Sequence, residues 1–160
     1  MISTKSPREI ELMREAGRIV GLAHEAVKQA IKPGVTTLML DKVVEDTILQ
    51  AGATPSFKGL YDFPNAACVS VNEELVHGIP GKRVLKSGDI VSIDIGACYH
   101  GYHGDSAWTY PVGEVTTQTQ QLLQVTKDAL FIGLKQVKAG NRLGDVSHAI
   151  GEYVFSFGFS

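Results

Sequence analysis

The sequence predicts an α+β protein, because two amphipathic helices precede a group of short apolar strands and a third helix follows them. Strands are expected at residues 67–72 and 89–98, with a third at 105–112. The chain has 160 residues, of which 44% are apolar and 20% are charged. This length and composition are typical of one globular domain with its own hydrophobic core.

The first two helices have recognisable ends. Ser6, Pro7 and Glu9 form a capping box with proline at the first helical position. The segment Lys32–Gly34 ends the apolar pattern that follows, and the second helix is expected to end at Gly52.

Threonine pairs mark the starts of the second and third helices. The cap of the second helix is predicted to be Thr36 or Thr37, and that of the third helix Thr116 or Thr117. The third helix is predicted to stop at Gly140.

The segment after the third helix repeats the pattern found after the first. A shift of 106 positions places Lys138, Gly140 and Gly158 on Lys32, Gly34 and Gly52. The apolar stripe of the second helix falls in the same way on Val146, Ile150 and Val154. We therefore expect a pseudo-repeat within one incomplete domain, with residues 1–115 as the first unit and 116–160 as the start of the second.

Charge and hydropathy exclude several classes of partner. The formal net charge is −2, so neither nucleic acid nor an anionic membrane is expected as a direct ligand. The amino terminus has no apolar signal core and no run approaches the roughly 18 apolar residues of a membrane span, so a cytoplasmic location is expected. Cys68 and Cys98 lack CxxC spacing, and two reduced thiols are expected.

Two aspartates stand out in the segment VSIDIGACYHGYHGD, residues 91–105. Asp94 interrupts a strand that otherwise enters the interior, and Asp105 follows a glycine-rich reversal. If the hairpin turns around Tyr99 and His100, the two carboxylates face each other with Cβ atoms about 5 Å apart. Two anions this close must be neutralised, because burial of an unpaired carboxylate costs several kcal/mol.

Three arrangements would neutralise the pair. One or two divalent metal ions suit ligation by oxygen atoms alone, and a shared proton, as in a carboxylate dyad, is the second solution. In the third, Asp94 pairs with an arginine or lysine and Asp105 only caps the turn. The opposed positions of the aspartates disfavour the third arrangement and leave the first two open.

The five histidines of the chain differ in their surroundings. His77 precedes a Gly-Ile-Pro turn and suits either a catalytic role or an ordinary loop position. His100 and His103 flank the predicted hairpin turn, where exposed polar side chains are common, although His103 has the strand parity needed to reach the aspartates. His24 and His148 lie on predicted helices, and a structural role is expected for both.

Taken together, VNEELVHGIPG, DIVSIDIGA and YHGYHGDSAWTYPVG resemble the type I methionine aminopeptidase family. The resemblance runs from the first helix to residue 160. It implies the pita-bread α+β fold, here the first repeat and the beginning of the second, which agrees with the 106-residue shift. It also implies removal of the amino-terminal methionine from newly made proteins by metal-dependent hydrolysis.

The resemblance assigns roles to individual residues. Asp94 matches a chelating ligand of one metal ion, and Asp105 matches a ligand that bridges two. His77 matches a histidine that hydrogen-bonds the substrate and assists the transition state. Cys68, Phe63 and Leu60 match positions that line the family's pocket for the methionine side chain. At the position of Leu60 the family often has tyrosine.

The resemblance further implies two divalent metal ions, drawn from manganese, iron, cobalt and zinc. The family completes this site with one histidine and two glutamates of the second repeat, one of them the general base. These 160 residues lack all three, so we expect weak metal binding and no activity of this chain alone. The expected partners are amino-terminal peptides of nascent proteins, with a ribosome or chaperone holding a truncated or unfinished chain.

Two alternatives come from the same fold. A prolidase-type aminopeptidase also carries an aspartate pair on a hairpin, but the HGIP turn and the HGD motif favour methionine aminopeptidase. A non-catalytic pita-bread module is expected to lose the ligands, whereas Asp94, Asp105 and His77 are all present. Hydrolysis of dipeptides with proline in second position discriminates the first alternative.

Overall fold

The computed structural model describes residues 3–160, which form four α-helices and a four-stranded antiparallel sheet. The helices are α1 (Pro7–Ala30), α2 (Thr37–Gln50), α3 (Thr117–Leu134) and α4 (Leu143–Ser156). The strands are β1 (Thr54–Pro55), β2 (Ala67–Val71), β3 (Ile90–Tyr99) and β4 (Tyr102–Pro111). The chain divides into two compact units, one that ends at Glu114 and one that begins at Val115.

Hydrogen bonds confirm the predicted helix starts. The Ser6 hydroxyl accepts from the Glu9 amide, and the Glu9 carboxylate accepts from the Ser6 amide at 2.7 Å, so both halves of the capping box form. Thr36 and Thr116 cap α2 and α3 through their hydroxyl groups. Each cap satisfies an amide of the first turn that has no partner within the helix.

The predicted end of α3 is wrong. The helix ends at Leu134 instead of continuing to Gly140. The amides of Gln136 and Val137 donate to the carbonyls of Gly133 and Leu134 in tight turns. These bonds span three residues instead of four, so regular α-helical geometry ends at this point.

The central strand β3 pairs with β1, β2 and β4, always antiparallel. The turn between β3 and β4 consists of His100 and Gly101, whose φ angles of 49° and 84° suit a two-residue hairpin loop. Asp105 therefore pairs with Gly96 and not with Asp94. The predicted direct opposition of the aspartates is wrong by two residues, because the prediction placed the turn one residue too early. The third strand, expected from residue 105, begins at Tyr102.

In the first unit, α1 and α2 pack against the sheet and enclose the core. Its largest fully buried side chains include Ile19, Leu40, Ile48, Leu85, Ile93 and Ile95. Asp41 of α2 is also buried, and its carboxylate accepts from the amides of Ala66 and Ala67 and from the Asn65 side chain. These three donors compensate the buried charge and fix the start of β2.

In the second unit, α3 and α4 pack together through Gly133, where an added Cβ would lie 2.6 Å from Ile150 Cδ1. Helix α4 begins and ends 106 positions after α2. Gly140, with a φ of 92°, likewise matches Gly34, with a φ of 93°. These equalities support the pseudo-repeat, which stays a prediction.

None of the helices within residues 3–160 has the length and apolarity needed to cross a bilayer.

Candidate active site

A cavity of about 390 Å³ brings together every residue that the sequence placed in a site. Its lining consists of Phe57, Leu60, Tyr61, Phe63, Cys68, His77, Asp94 and Asp105. The lining therefore combines aromatic and aliphatic side chains with two carboxylates and a histidine. Phe57 and Tyr61 were not predicted.

The two aspartates meet across the β3–β4 hairpin. Asp94 pairs with Ala107 and Asp105 with Gly96, so the carboxylates are diagonal neighbours on one face of the sheet. The two-residue error in the predicted register leaves both on this face, because side chains alternate with a period of two. Their proximity follows from strand parity even though direct opposition does not occur.

Asp94 is the electrostatically unusual member of the pair. Its Oδ1 atom is buried without a hydrogen-bond partner. Burial first, and then repulsion by Asp105, raise the pKa of the Asp94 carboxyl to about 6, while the nearby His77 opposes this rise. None of the ion pairs among residues 3–160 involves either aspartate, so the predicted alternative with an arginine or lysine partner does not form.

Cys68 lies on β2 directly beside Asp94. Burial and the charges of Asp94 and Asp105 raise the pKa of the Cys68 thiol to about 11. The group is therefore a neutral thiol at physiological pH, which suits an apolar pocket wall and not a nucleophile.

His77 lies on a loop that is tightly docked on β2. The amide of Gly78 donates to Ser70 Oγ at 3.1 Å, and the Val69 amide donates to the Gly78 carbonyl at 2.9 Å. A Cβ at Gly78 would lie 2.3 Å from the Val69 carbonyl oxygen, so only glycine allows this approach. Val76 and His77 adopt left-handed φ angles of 40° and 52°, which turn the chain at the cavity.

A second loop, residues 56–63, supplies the apolar wall of the cavity. Lys58 pairs with Glu45 of α2, and the Gly59 amide donates to the Phe63 carbonyl at 2.8 Å. Tyr61 has a left-handed φ of 49° and is 97% exposed. Because this loop has no periodic pattern, the sequence indicated neither Phe57 nor Tyr61.

The remaining histidines do not line the cavity. His24 Nε2 lies 3.0 Å from the Ser106 carbonyl and Nδ1 lies 2.9 Å from the Tyr110 hydroxyl, which agrees with the expected structural role. His100 contacts the ring of Tyr99 at the turn. His103 hydrogen-bonds Ser56 of the cavity loop, and His148 is exposed on α4.

The site fits part of a metal centre. Asp94 and Asp105 offer carboxylate oxygens on one face, and the buried Asp94 Oδ1 is a polar atom that still needs a partner. A divalent cation held by Asp94 and Asp105 would supply that partner and would relieve the repulsion between the carboxylates. Among residues 3–160, however, no group of three or more histidine, cysteine, aspartate or glutamate side chains is arranged to hold a metal ion.

Two carboxylates carried by a strand hairpin line a cavity together with apolar side chains, an arrangement that suits a metal-dependent hydrolase. Residues 11–160 match the profile of Metallopeptidase family M24, and the chain belongs to this family. Within it, the chain is 59% identical over 160 residues to methionine aminopeptidase 1 of Bacillus subtilis, covering 100% of this chain and 64% of that protein.

Solved structures agree with this assignment. Methionine aminopeptidase from Thermotoga maritima superposes with a TM-score of 0.96 at 46% identity, covering 99% of this chain and 64% of that one. Xaa-Pro dipeptidase from Bacillus anthracis superposes with a TM-score of 0.85 at 27% identity, covering 96% of this chain and 42% of that one. The fold is thus the pita-bread fold, as the sequence resemblance implied, and the chain spans just under two thirds of its aminopeptidase relatives.

Proposed function

We propose that this protein removes the amino-terminal methionine from newly made polypeptides by metal-dependent hydrolysis of the first peptide bond. The observation that carries the proposal is the cavity in which His77, Asp94 and Asp105 meet an apolar wall. The 59% identity to a methionine aminopeptidase favours this reaction over others of the same fold.

The apolar wall suits a methionine side chain. Phe57, Phe63 and Cys68 present two aromatic rings and a neutral thiol to the cavity. An unbranched thioether adapts to such a lining and gains contacts between sulfur and aromatic rings. Burial of its apolar surface contributes about 25 cal/mol per Å². Leu60 also lines the cavity, so it contributes apolar surface where the family often has a tyrosine hydroxyl.

His77 is the residue that we assign to the reacting peptide bond. A ring N–H of His77 would donate to the oxygen on which negative charge develops during attack on the scissile carbonyl. The docked Gly78 backbone holds the main chain of His77 beside the cavity, so the histidine starts close to the position where it would act.

Asp94 and Asp105 would hold the metal ions, which the family implies to be two divalent cations. When bound, these ions supply a water of lowered pKa and polarise the scissile carbonyl. Manganese, iron, cobalt and zinc are the candidates. Because residues 3–160 group only two such ligands, we expect the 160-residue chain alone to bind metal weakly and to hydrolyse no substrate.

The proposed substrates are the amino termini of nascent proteins, and the proposed location is the cytoplasm. Contact with a ribosome or chaperone is part of this proposal. It is supported by exposed apolar side chains on α3 and α4, among them Leu130, Phe131 and Phe155.

A hybrid enzyme tests the function. These 160 residues would replace the matching 64% of the Bacillus subtilis relative, and the hybrid would be assayed on Met-Ala-Ser with manganese or cobalt. We expect metal-dependent release of methionine, which Asp94→Asn and His77→Ala abolish. Hydrolysis of a dipeptide with proline second, without release of methionine, would favour the prolidase-type alternative. A folded hybrid inactive on both substrates would favour the non-catalytic module.

A further inference from the structure

Ser56 connects the cavity loop to both strands of the hairpin. Its amide donates to the Gly96 carbonyl of β3 at 2.9 Å, and its Oγ lies 2.9 Å from Nδ1 of His103 on β4. His103 precedes Asp105 by two residues, so both side chains leave the same face of β4. The loop is therefore attached to the strand that carries a candidate metal ligand.

Phe57, the next residue, packs directly on β3. A Cβ built at Gly96 would lie 2.7 Å from Phe57 Cε1 and 2.9 Å from Ser56 Cβ, so the ring occupies space that any other residue at position 96 would fill. Phe57 also lines the cavity. The position of this wall thus depends on the absence of a side chain at Gly96 and on the attachment of Ser56.

We propose that His103 is a positioning residue that determines which first side chain the cavity accepts. Its bond to Ser56 holds the Phe57 ring against Gly96 and so keeps the cavity narrow. Without the bond, Ser56 retains only its backbone anchor, the ring moves away from β3, and broader side chains enter. This inference rests on the proposed function, because it assigns the cavity to the first side chain of the substrate.

The position of the ring is measured without any ligand. In the 160-residue chain, the ring current of Phe57 displaces the resonance of the Gly96 α-proton nearest the ring from its random-coil position. We expect Ser56→Ala and His103→Ala to remove most of this shift, and the double variant to remove no more than either alone. His103→Asn is expected to keep the shift, because the side-chain amide of asparagine reaches the Ser56 hydroxyl as Nδ1 of His103 does. His148→Ala on α4 is the control and is expected to leave the Gly96 shift unchanged.

Specificity is measured by binding of L-methioninamide and L-phenylalaninamide to the same variants. The wild-type chain is expected to prefer L-methioninamide. Loss of the surface bond in Ser56→Ala or His103→Ala is expected to reduce the preference about three- to tenfold, with His103→Asn retaining it.

The two readouts separate the possible failures. An unchanged Gly96 shift and an unchanged preference in His103→Ala would overturn the inference while leaving the proposed pocket intact. A wild-type chain without any preference for L-methioninamide would contradict the proposed pocket, and the specificity role of His103 with it, whatever the Gly96 shift does.

Discussion

Asp105 lies opposite Gly96 and not opposite Asp94, so the two carboxylates of the site meet diagonally across the β3–β4 hairpin. Gly96 has no side chain and the Phe57 ring packs in that space, while both aspartates still face the cavity. Because Asp105 pairs with Gly96 and Phe57 packs at Gly96, a candidate metal ligand and the apolar wall of the pocket lie side by side.

The first prediction concerns the cost of ionising Asp94 when no metal is bound. The pKa of about 6 in the folded chain lies above the ordinary value of 3.8. Protonation of Asp94 thus favours folding below about pH 3.8, and this contribution is lost as the pH rises through 6. In the presence of a chelator, the free energy of unfolding of Asp94→Asn should rise by about 1 kcal/mol relative to that of wild type between pH 4.5 and pH 7.5, after allowance for solvent screening of a partly buried carboxyl.

Urea denaturation at the two pH values measures this difference. Asp89→Asn is the control of opposite sign, because hydrogen bonds from Asn72 and Lys86 lower the pKa of Asp89. That variant should lose stability at pH 7.5. A stability difference for Asp94→Asn that does not change with pH would contradict the electrostatic account of the pair.

The second prediction concerns the docking of the His77 loop. Gly78→Ala should destabilise the chain by about 1–3 kcal/mol, because the new methyl group would overlap the Val69 carbonyl. Gly81→Ala is the matched control, since the nearest atom to its added Cβ is 3.9 Å away. Chemical denaturation measures both variants, and equal midpoints would show that the loop is not held at Gly78.

The third prediction concerns His24, which joins α1 to β4. The Ser106 carbonyl can only accept, so Nε2 carries the proton and Nδ1 accepts from the Tyr110 hydroxyl. Burial lowers the pKa of His24 below its ordinary 6.5. The neutral ring therefore stabilises the fold above about pH 6.5, and this contribution is lost as the pH falls through the lowered value.

His24→Gln should cost about 1 kcal/mol at pH 7.5, and the difference from wild type should shrink at pH 5. His148→Gln, at an exposed position on α4, should change the free energy of unfolding at neither pH. A wild-type advantage that grows as the pH falls would contradict the assignment of a neutral, buried ring.

The sequence predicted those parts of the site that follow from local rules. Strand parity placed Asp94 and Asp105 on one face, and the capping residues Ser6 and Thr36 fixed helix starts, because both depend on neighbours only a few positions away. The exact register depended on which two residues form the hairpin turn, and the segment YHGY permits more than one choice.

Long-range contacts were not predictable from the sequence pattern. Phe57 reaches the cavity only because Gly96, on another element, has no side chain. Asp41 fixes the start of β2 from α2, although nothing in its own helix indicates this role. Such contacts join residues that the chain brings together only after folding, so no periodic signal marks them.

The central claim is that Asp94 and Asp105 form part of a divalent metal site. Its most direct test is manganese binding to the 160-residue chain, followed by water proton relaxation, with Asp94→Asn and Asp105→Asn beside the wild type. The account predicts weak binding that each substitution removes and that Asp89→Asn leaves unchanged. Manganese affinity that is the same in all four proteins would contradict it.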